Sequence, residues 1–304
     1  MFDQERCMEI LALLRKQRAK RILLQVPEGL KAGAQNLIDF LEKKRIECVL
    51  SLEPCFGACD LRDREAKLLG CDTLLHIGHA DLGLEAEVPV VYYEYFIAYD
   101  FIPLLKMVIR KIKYRKICLV STIQFKKSLE SAKKFLGKRG FAVKLAGPIL
   151  GCDVADAKAY ERLVQCYLFI GSGRFHPLGL QEKTSKPVLF LDVENRSLED
   201  LSEEKGEMEI RRQLRIEKAK GLRNFGIAVS TKPGQLRRKE ADEIKRKLVK
   251  RGKRVYMLAA DQLTPEKLLG LKIDVLINTA CPRLREDAEQ FGKTIMNPED
   301  AENL

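Results

Sequence analysis

The sequence predicts an α/β protein of three pseudo-repeated domains, each a small parallel sheet flanked by helices. Three observations carry that expectation. Short apolar runs alternate with stretches of helical periodicity along nearly all of the 304 residues. The alternation restarts twice, with units opening at Ile22, Ile117 and Ile227, a repetition visible in strand order and not in residue identity. Each unit also places one cysteine just past a strand: Cys59 in Gly57-Ala58-Cys59-Asp60, Cys152 in Leu150-Gly151-Cys152-Asp153, and Cys281 in Asn278-Thr279-Ala280-Cys281-Pro282-Arg283. Functional groups of a parallel sheet collect beyond the carboxyl ends of its strands. The expected domains are 1–102, 103–197 and 198–304.

In the first unit Asp3 caps a helix whose Cys7, Ile10, Leu11 and Leu14 fall at helical spacing. Residues 21–26 form a buried strand closed by Pro27-Glu28-Gly29-Leu30, and Ala34, Leu37, Ile38 and Leu41 line the next helix. Strand 47–52 leads into the loop carrying Cys55 and Cys59. A helix over 61–69, strand 73–77 ending in Gly78-His79, and strand 88–93 complete the unit.

The second unit reads as strand 117–120, helix 126–138, strand 142–150 running to Cys152, and a helix over 155–164. Strand 167–170 then leaves through Gly171-Ser172-Gly173-Arg174-Phe175-His176-Pro177, and strand 187–191 closes the unit. A charged helix over 199–220, with Met208, Ile210 and Leu214 as apolar contacts, bridges to the third unit. There the strands are 225–229, 255–258 and 274–277, with a basic helix over 236–250 and a short one opened by Thr264-Pro265-Glu266. The polar tail, 298–304, is expected to fray.

Apolar residues at 46% and charged residues at 32% describe a globular chain, and no apolar run approaches the roughly 20 residues of a membrane span. The N-terminus lacks a cleavable signal pattern, which makes the cytoplasm the expected location. Net charge is +12, and residues 200–254 hold 18 Lys/Arg against 9 Asp/Glu, +9 of the total. That run reads either as solvated helix faces or as a docking surface for an acidic or ribosome-associated partner.

Nine scattered cysteines, an odd number, argue against a disulfide framework and for reduced thiols or metal ligands. Cys7, Cys48, Cys71, Cys118 and Cys166 lie among apolar neighbours and read as small core residues. The Cys55/Cys59 spacing is a weak signal alone, since a structural zinc site wants two close pairs. Nor does any histidine sit beside a cysteine in sequence as a nucleophile's base would be recognised. Two readings stay open on spacing: separate structural thiols, or three thiolates meeting at one centre. A 4Fe–4S cluster normally takes four cysteines, so three would leave one iron open to orient a substrate.

Gly57-Ala58-Cys59-Asp60, Gly151-Cys152, the segment 171–177 and Asn278-Thr279-Ala280-Cys281-Pro282-Arg283 resemble the signature segments of the radical 3-amino-3-carboxypropyl transferases that begin diphthamide synthesis. The resemblance runs from about residue 20 to 290 and is nearest the archaeal, single-gene form. It departs at Pro148-Ile149, where Gln-Val is expected, and at Asp153, where a small polar residue is common.

The resemblance implies three α/β domains converging on a central 4Fe–4S site with Cys59, Cys152 and Cys281 as ligands and Cys55 as a bystander. It implies S-adenosylmethionine on the open iron and one-electron cleavage to methylthioadenosine and a 3-amino-3-carboxypropyl radical. That radical would add to carbon 2 of a histidine in elongation factor 2. It further implies a homodimer and an external electron donor, with no membrane and no direct nucleic-acid contact. Pocket-lining roles are expected for Glu28, Gly29, His79, Arg174, His176 and Arg283. A guanidinium suits the methionine carboxylate, and glycine-bearing loops suit close backbone approach.

Two rivals are set beside this reading. A quinolinate-synthase-like dehydrating condensation would use three repeated domains and three cysteines, with the open iron as Lewis acid. A basic metal-binding module for nucleic acid is disfavoured by the lack of Trp and by 7% aromatics, with no stacking residues interleaved among the basic ones.

Overall fold

Parallel pairing dominates the three sheets, whose strands in spatial order begin at residues 47-21-73-90, 142-116-166-188-197 and 254-224-275-294. The computed structural model describes residues 2–285 and 288–304. Contacts divide the chain into two units: residues up to Phe96 together with Lys232–Gln235, and Ile97–Thr231 together with Leu236–Leu304. None of the helices among the described residues is long and apolar enough to cross a membrane.

The first unit runs α1 (Gln4–Gln17), β1 (Arg21–Gln25), α2 (Glu28–Glu42), β2 (Glu47–Leu50), α3 (Asp63–Leu68), β3 (Thr73–Ile77) and β4 (Val90–Tyr93). Asp3 caps α1 by accepting from the Arg6 backbone N–H, and Cys7, Ile10, Leu11 and Leu14 are buried. Successive β1 side chains point to opposite faces. Ile22 and Leu24 join Ile10, Leu14, Leu37 and Leu41 on one side. Leu23 joins Leu61, Ala66 and Leu74 on the other. Covering both faces explains why β1 and β3 read as continuous apolar runs. The chain leaves β1 for β2 on one side and returns to β3 on the other, so the β1/β3 carboxyl ends form the topological switch point.

The second unit holds the other two sheets. Its first part is α4 (Ile102–Val108), β5 (Lys116–Val120), α5 (Leu129–Gly137), β6 (Ala142–Leu145), α6 (Ala155–Lys158), β7 (Cys166–Gly171), α7 (Phe175–Lys183), β8 (Val188–Asp192) and β9 (Ser197–Asp200). There follow α8 (Ser202–Lys220), β10 (Asn224–Ser230), α9 (Arg238–Lys250), β11 (Arg254–Ala260), β12 (Val275–Asn278), β13 (Thr294–Met296) and α10 (Pro298–Ala301). Both sheets repeat the order of the first, with switch points at β5/β7 and β10/β12. Helix α8 bridges them: Lys205 donates to the Thr184 carbonyl after α7, and Arg212 pairs with Asp300 of α10.

Several elements differ from the sequence expectation. Helix α2 begins at Glu28, so Glu28 and Gly29 form its first turn instead of a loop. Strand β6 stops at Leu145, where Gly147 and Pro148 interrupt the ladder. The apolar contacts of α8 are Ile216 and Ala219, while Ile210 and Leu214 are exposed. Strands β9, antiparallel to β8, and β13 were not anticipated. The tail is tied down, because Asn297 and Asp300 form a capping box and Asp300 is buried against Arg212.

Candidate functional site

In the first unit the loop after β2 carries Cys55 and Cys59. Cys55 is buried, Cys59 half-buried, and a Gly57–Asp60 turn sets the bend between them. The residues that hold this loop come from far away in sequence. Lys232 Nζ lies 2.6 Å from Asp60 Oδ2, and both side chains are buried. Arg62 adds a second cation 3.3 Å from Asp60 Oδ1. The Gly234 N–H donates to the Cys59 carbonyl, and a Cβ on Gly234 would stand 2.5 Å from Cys59 Cα, so only glycine permits this approach. Gln235 Nε2 donates to Cys59 Sγ at 3.3 Å.

At the switch point, buried Gln25 joins the cysteine loop to β3. Its Nε2 donates to the Asp60 carbonyl at 2.6 Å, and its Oε1 receives the Arg62 N–H at 3.3 Å. The same oxygen stands 2.9 Å from His76 Nδ1, and His76 Nε2 stands 3.0 Å from His79 Nδ1. Burial keeps both rings neutral, lowering His76 to about 3, helped by the neighbouring His79, and His79 to about 4. One ligand atom each from Cys55, His76 and His79 lies within 4.8 Å of the others, so Cys55 belongs to a polar cluster. Glu28 points elsewhere, pairing with Lys31, and a Cβ on Gly29 would meet nothing within 4 Å.

In the second unit, two cysteine-bearing loops meet α7, the helix that follows β7. The Gly151 N–H donates to His176 Nδ1 at 3.0 Å, and Lys183 Nζ holds the carbonyls of Cys152 and Gly151 at 2.6 and 3.3 Å. From the other loop, the Arg283 guanidinium lies 5.6 Å from the centre of the Phe175 ring, a cation–π contact. Cys281 follows β12 because Asn278 closes the turn. Its Nδ2 donates to the Cys281 carbonyl at 2.7 Å and its Oδ1 accepts from the Ala280 N–H at 3.0 Å. Arg174 is engaged by Glu199 and Glu204.

The nine thiols fall into two groups, and none forms a disulfide. Burial raises Cys7 and Cys71, and pushes Cys48, Cys55, Cys118 and Cys166 up to about 12. Those six are held as neutral thiols, while a metal takes thiolate. Cys152 is exposed and Cys59 and Cys281 are half-buried, each on a loop at the carboxyl edge of its sheet. Accessible thiols on such loops, Cys59 already accepting an N–H···S bond, have the chemistry of iron–sulfur ligands.

The family model for diphthamide synthesis proteins matches residues 26–304. This chain belongs to the diphthamide synthesis family. Relatives in the family include 2-(3-amino-3-carboxypropyl)histidine synthase of Pyrococcus horikoshii, 38% identical over 97% of this chain and 89% of that protein. The Methanocaldococcus jannaschii protein of the same name is 29% identical over 98% and 88%. Subunit 1 of the Schizosaccharomyces pombe synthase is 30% identical over 95% and 70%. The crystal structure of Dph2 from Pyrococcus horikoshii with a 4Fe–4S cluster superposes with a TM-score of 0.89 at 37% identity, covering 97% of this chain and 89% of that one. Membership of the diphthamide synthesis family selects the aminocarboxypropyl-transfer reading over both rivals.

Sequence reasoning missed Gln25, His76, Lys183, Lys232 and Gln235. His76 and Gln25 were visible only as polar residues inside apolar strands, a signal that a buried polar group needs a partner. Lys232 and Gln235 left no local signal.

Proposed function

We propose that this chain catalyses the first step of diphthamide synthesis, transferring the 3-amino-3-carboxypropyl group of S-adenosylmethionine to a histidine of elongation factor 2. The observation that carries this reading is the near end-to-end match, at 38% identity, to an archaeal 2-(3-amino-3-carboxypropyl)histidine synthase. The cofactor is a 4Fe–4S cluster, and we assign Cys59, Cys152 and Cys281 as its ligands. When bound, the cluster supplies the electron that cleaves the sulfonium at the methionine γ-carbon.

The chain's own residues position and shield. Gln235 and the Lys232–Asp60 pair fix the Cys59 loop, Lys183 fixes the Cys152 loop, and Asn278 fixes the Cys281 turn. Arg283 supplies a guanidinium for the methionine carboxylate. The choice of which carbon–sulfur bond breaks is a matter of which carbon is held toward the cluster, a positioning effect. Carbon 2 of the imidazole is the acceptor atom, the enzyme works as a cytoplasmic homodimer, and an external one-electron donor serves it.

Anaerobic, reduced protein incubated with S-adenosylmethionine is expected to release methylthioadenosine and to label elongation factor 2. Replacing Cys59, Cys152 or Cys281 singly by Ser is expected to abolish both the cluster absorbance and turnover. Full cluster content in any of the three variants would sink the ligand assignment.

A further inference from the structure

The hydrogen bonds from Gln25 through His76 to His79 admit one arrangement of protons. The Asp60 carbonyl can only accept, so the Gln25 atom 2.6 Å away is the amide nitrogen. The Arg62 backbone N–H can only donate, so the other Gln25 atom is the oxygen. That oxygen, 2.9 Å from His76 Nδ1, requires the proton on Nδ1. A neutral ring protonated at Nδ1 has a lone pair at Nε2. His76 Nε2 therefore accepts from His79 Nδ1 at 3.0 Å, and the lone pair of His79 is left on its Nε2. Two backbone groups thus dictate, through two side chains, what His79 presents.

We propose that Gln25 and His76 are positioning residues that lock His79 with an Nε2 lone pair, making it the hydrogen-bond acceptor for an N–H donor bound at the β1/β3 switch point. The place fits, since ligands of open parallel sheets bind in the crevice beyond the strand ends at such a point. Because burial holds His79 at about 4, it accepts a hydrogen bond at neutral pH without taking the proton. Its role is to hold a donor, since a ring held that far below neutrality is a weak general base. The identity of the donor rests on the function proposed above: either the α-ammonium of S-adenosylmethionine or the N–H of the target imidazole.

The chain has three histidines, so histidine-specific 15N labelling of the full chain resolves every ring, and nitrogen shifts report each tautomer. His76 and His79 are expected to carry the proton on Nδ1. His176 serves as the internal contrast, because it accepts the Gly151 N–H at Nδ1 and so carries its proton on Nε2. Gln25→Leu removes the acceptor that pins His76 and is expected to move the His79 proton to Nε2.

In steady-state assays, His79→Ala and Gln25→Leu should raise one KM about tenfold, the loss of one hydrogen bond. The affected substrate is S-adenosylmethionine if the donor is the ammonium, and elongation factor 2 if it is the imidazole. An Nε2–H tautomer at His79 in the unaltered protein, or unchanged KM for both substrates in His79→Ala, overturns the proposal. If Gln25→Leu does not fold, those two measurements still decide it. The tautomer is read without turnover, so an inactive enzyme would count against the proposed function and leave this inference standing on its own result.

Discussion

Lys232 and Asp60 form a buried ion pair at 2.6 Å, across 172 residues of sequence and one residue from Cys59. Both side chains are buried, so the Asp60 charge is balanced by Lys232 and Arg62. Removing one partner of such a pair costs about 3–5 kcal/mol, because the survivor remains charged and buried. Lys232→Met is expected to lose that much in urea unfolding. A loss below about 1 kcal/mol would show the pair behaving like a surface contact.

Gln235→Leu deletes the N–H···S bond to Cys59 while keeping most of the side-chain volume. Donors to a ligating sulfur favour the reduced, more negative state. A bond worth about 1 kcal/mol more in that state corresponds to about 40 mV for one electron. The midpoint potential of the variant, followed by EPR during redox titration, should therefore fall. An unmoved potential would mean the bond does not act on the cluster.

The neutral histidine pair makes the fold sensitive to acid. Both folded-state values lie below the ordinary 6.5, at about 3 and about 4, so the unfolded chain takes up protons first. The stability they contribute is complete above pH 6.5. It is lost as pH falls below 6.5, at about 1.4 kcal/mol per pH unit for each ring, and the loss levels off once the folded rings take up protons at about 4 and about 3. Urea midpoints between pH 7 and 5 should decline, and the His76→Gln/His79→Gln double variant should decline less steeply. Equal slopes would refute the assignment.

The N-cap Arg237 and, within α9, Arg238, Lys245 and Arg246 lie beside a buried face of Ala241, Ile244 and Leu248. Exposed charge acts on encounter more than on fold. Reversing all four to Glu is expected to raise KM for elongation factor 2 about tenfold at low salt and to flatten its salt dependence, with S-adenosylmethionine cleavage unchanged. Unaltered kinetics at low ionic strength would remove α9 from the docking surface.

What was legible in the sequence was whatever burial writes locally. Asp3 and its four buried neighbours define α1, and the Asn278–Cys281 turn follows from an Asx residue at the end of an apolar strand. Strands β9 and β13 escaped because edge strands of three or four residues carry too little periodicity. Ile210 and Leu214 misled because helical spacing records a stripe and not its partner. The site's supporting contacts were out of reach for a different reason. Gln25 to His76, Lys232 to Asp60 and Gln235 to Cys59 are polar pairings separated by 51, 172 and 176 residues, and no pattern in a single chain encodes them.

The three sheets share one strand order, and the third strand of each ends at its switch point. Past β3 comes His79, past β7 the helix α7 bearing His176, and past β12 Cys281. One scaffold address therefore delivers an imidazole in the first and second copies and a thiol in the third. Geometry and chemistry are inherited separately here. A turn can exchange its reactive group while the strand beneath it, buried on both faces, keeps the delivery point fixed. Equivalent positions in such a protein are found by the strand they follow, since their spacing past it differs: two residues for His79, five for His176 and three for Cys281.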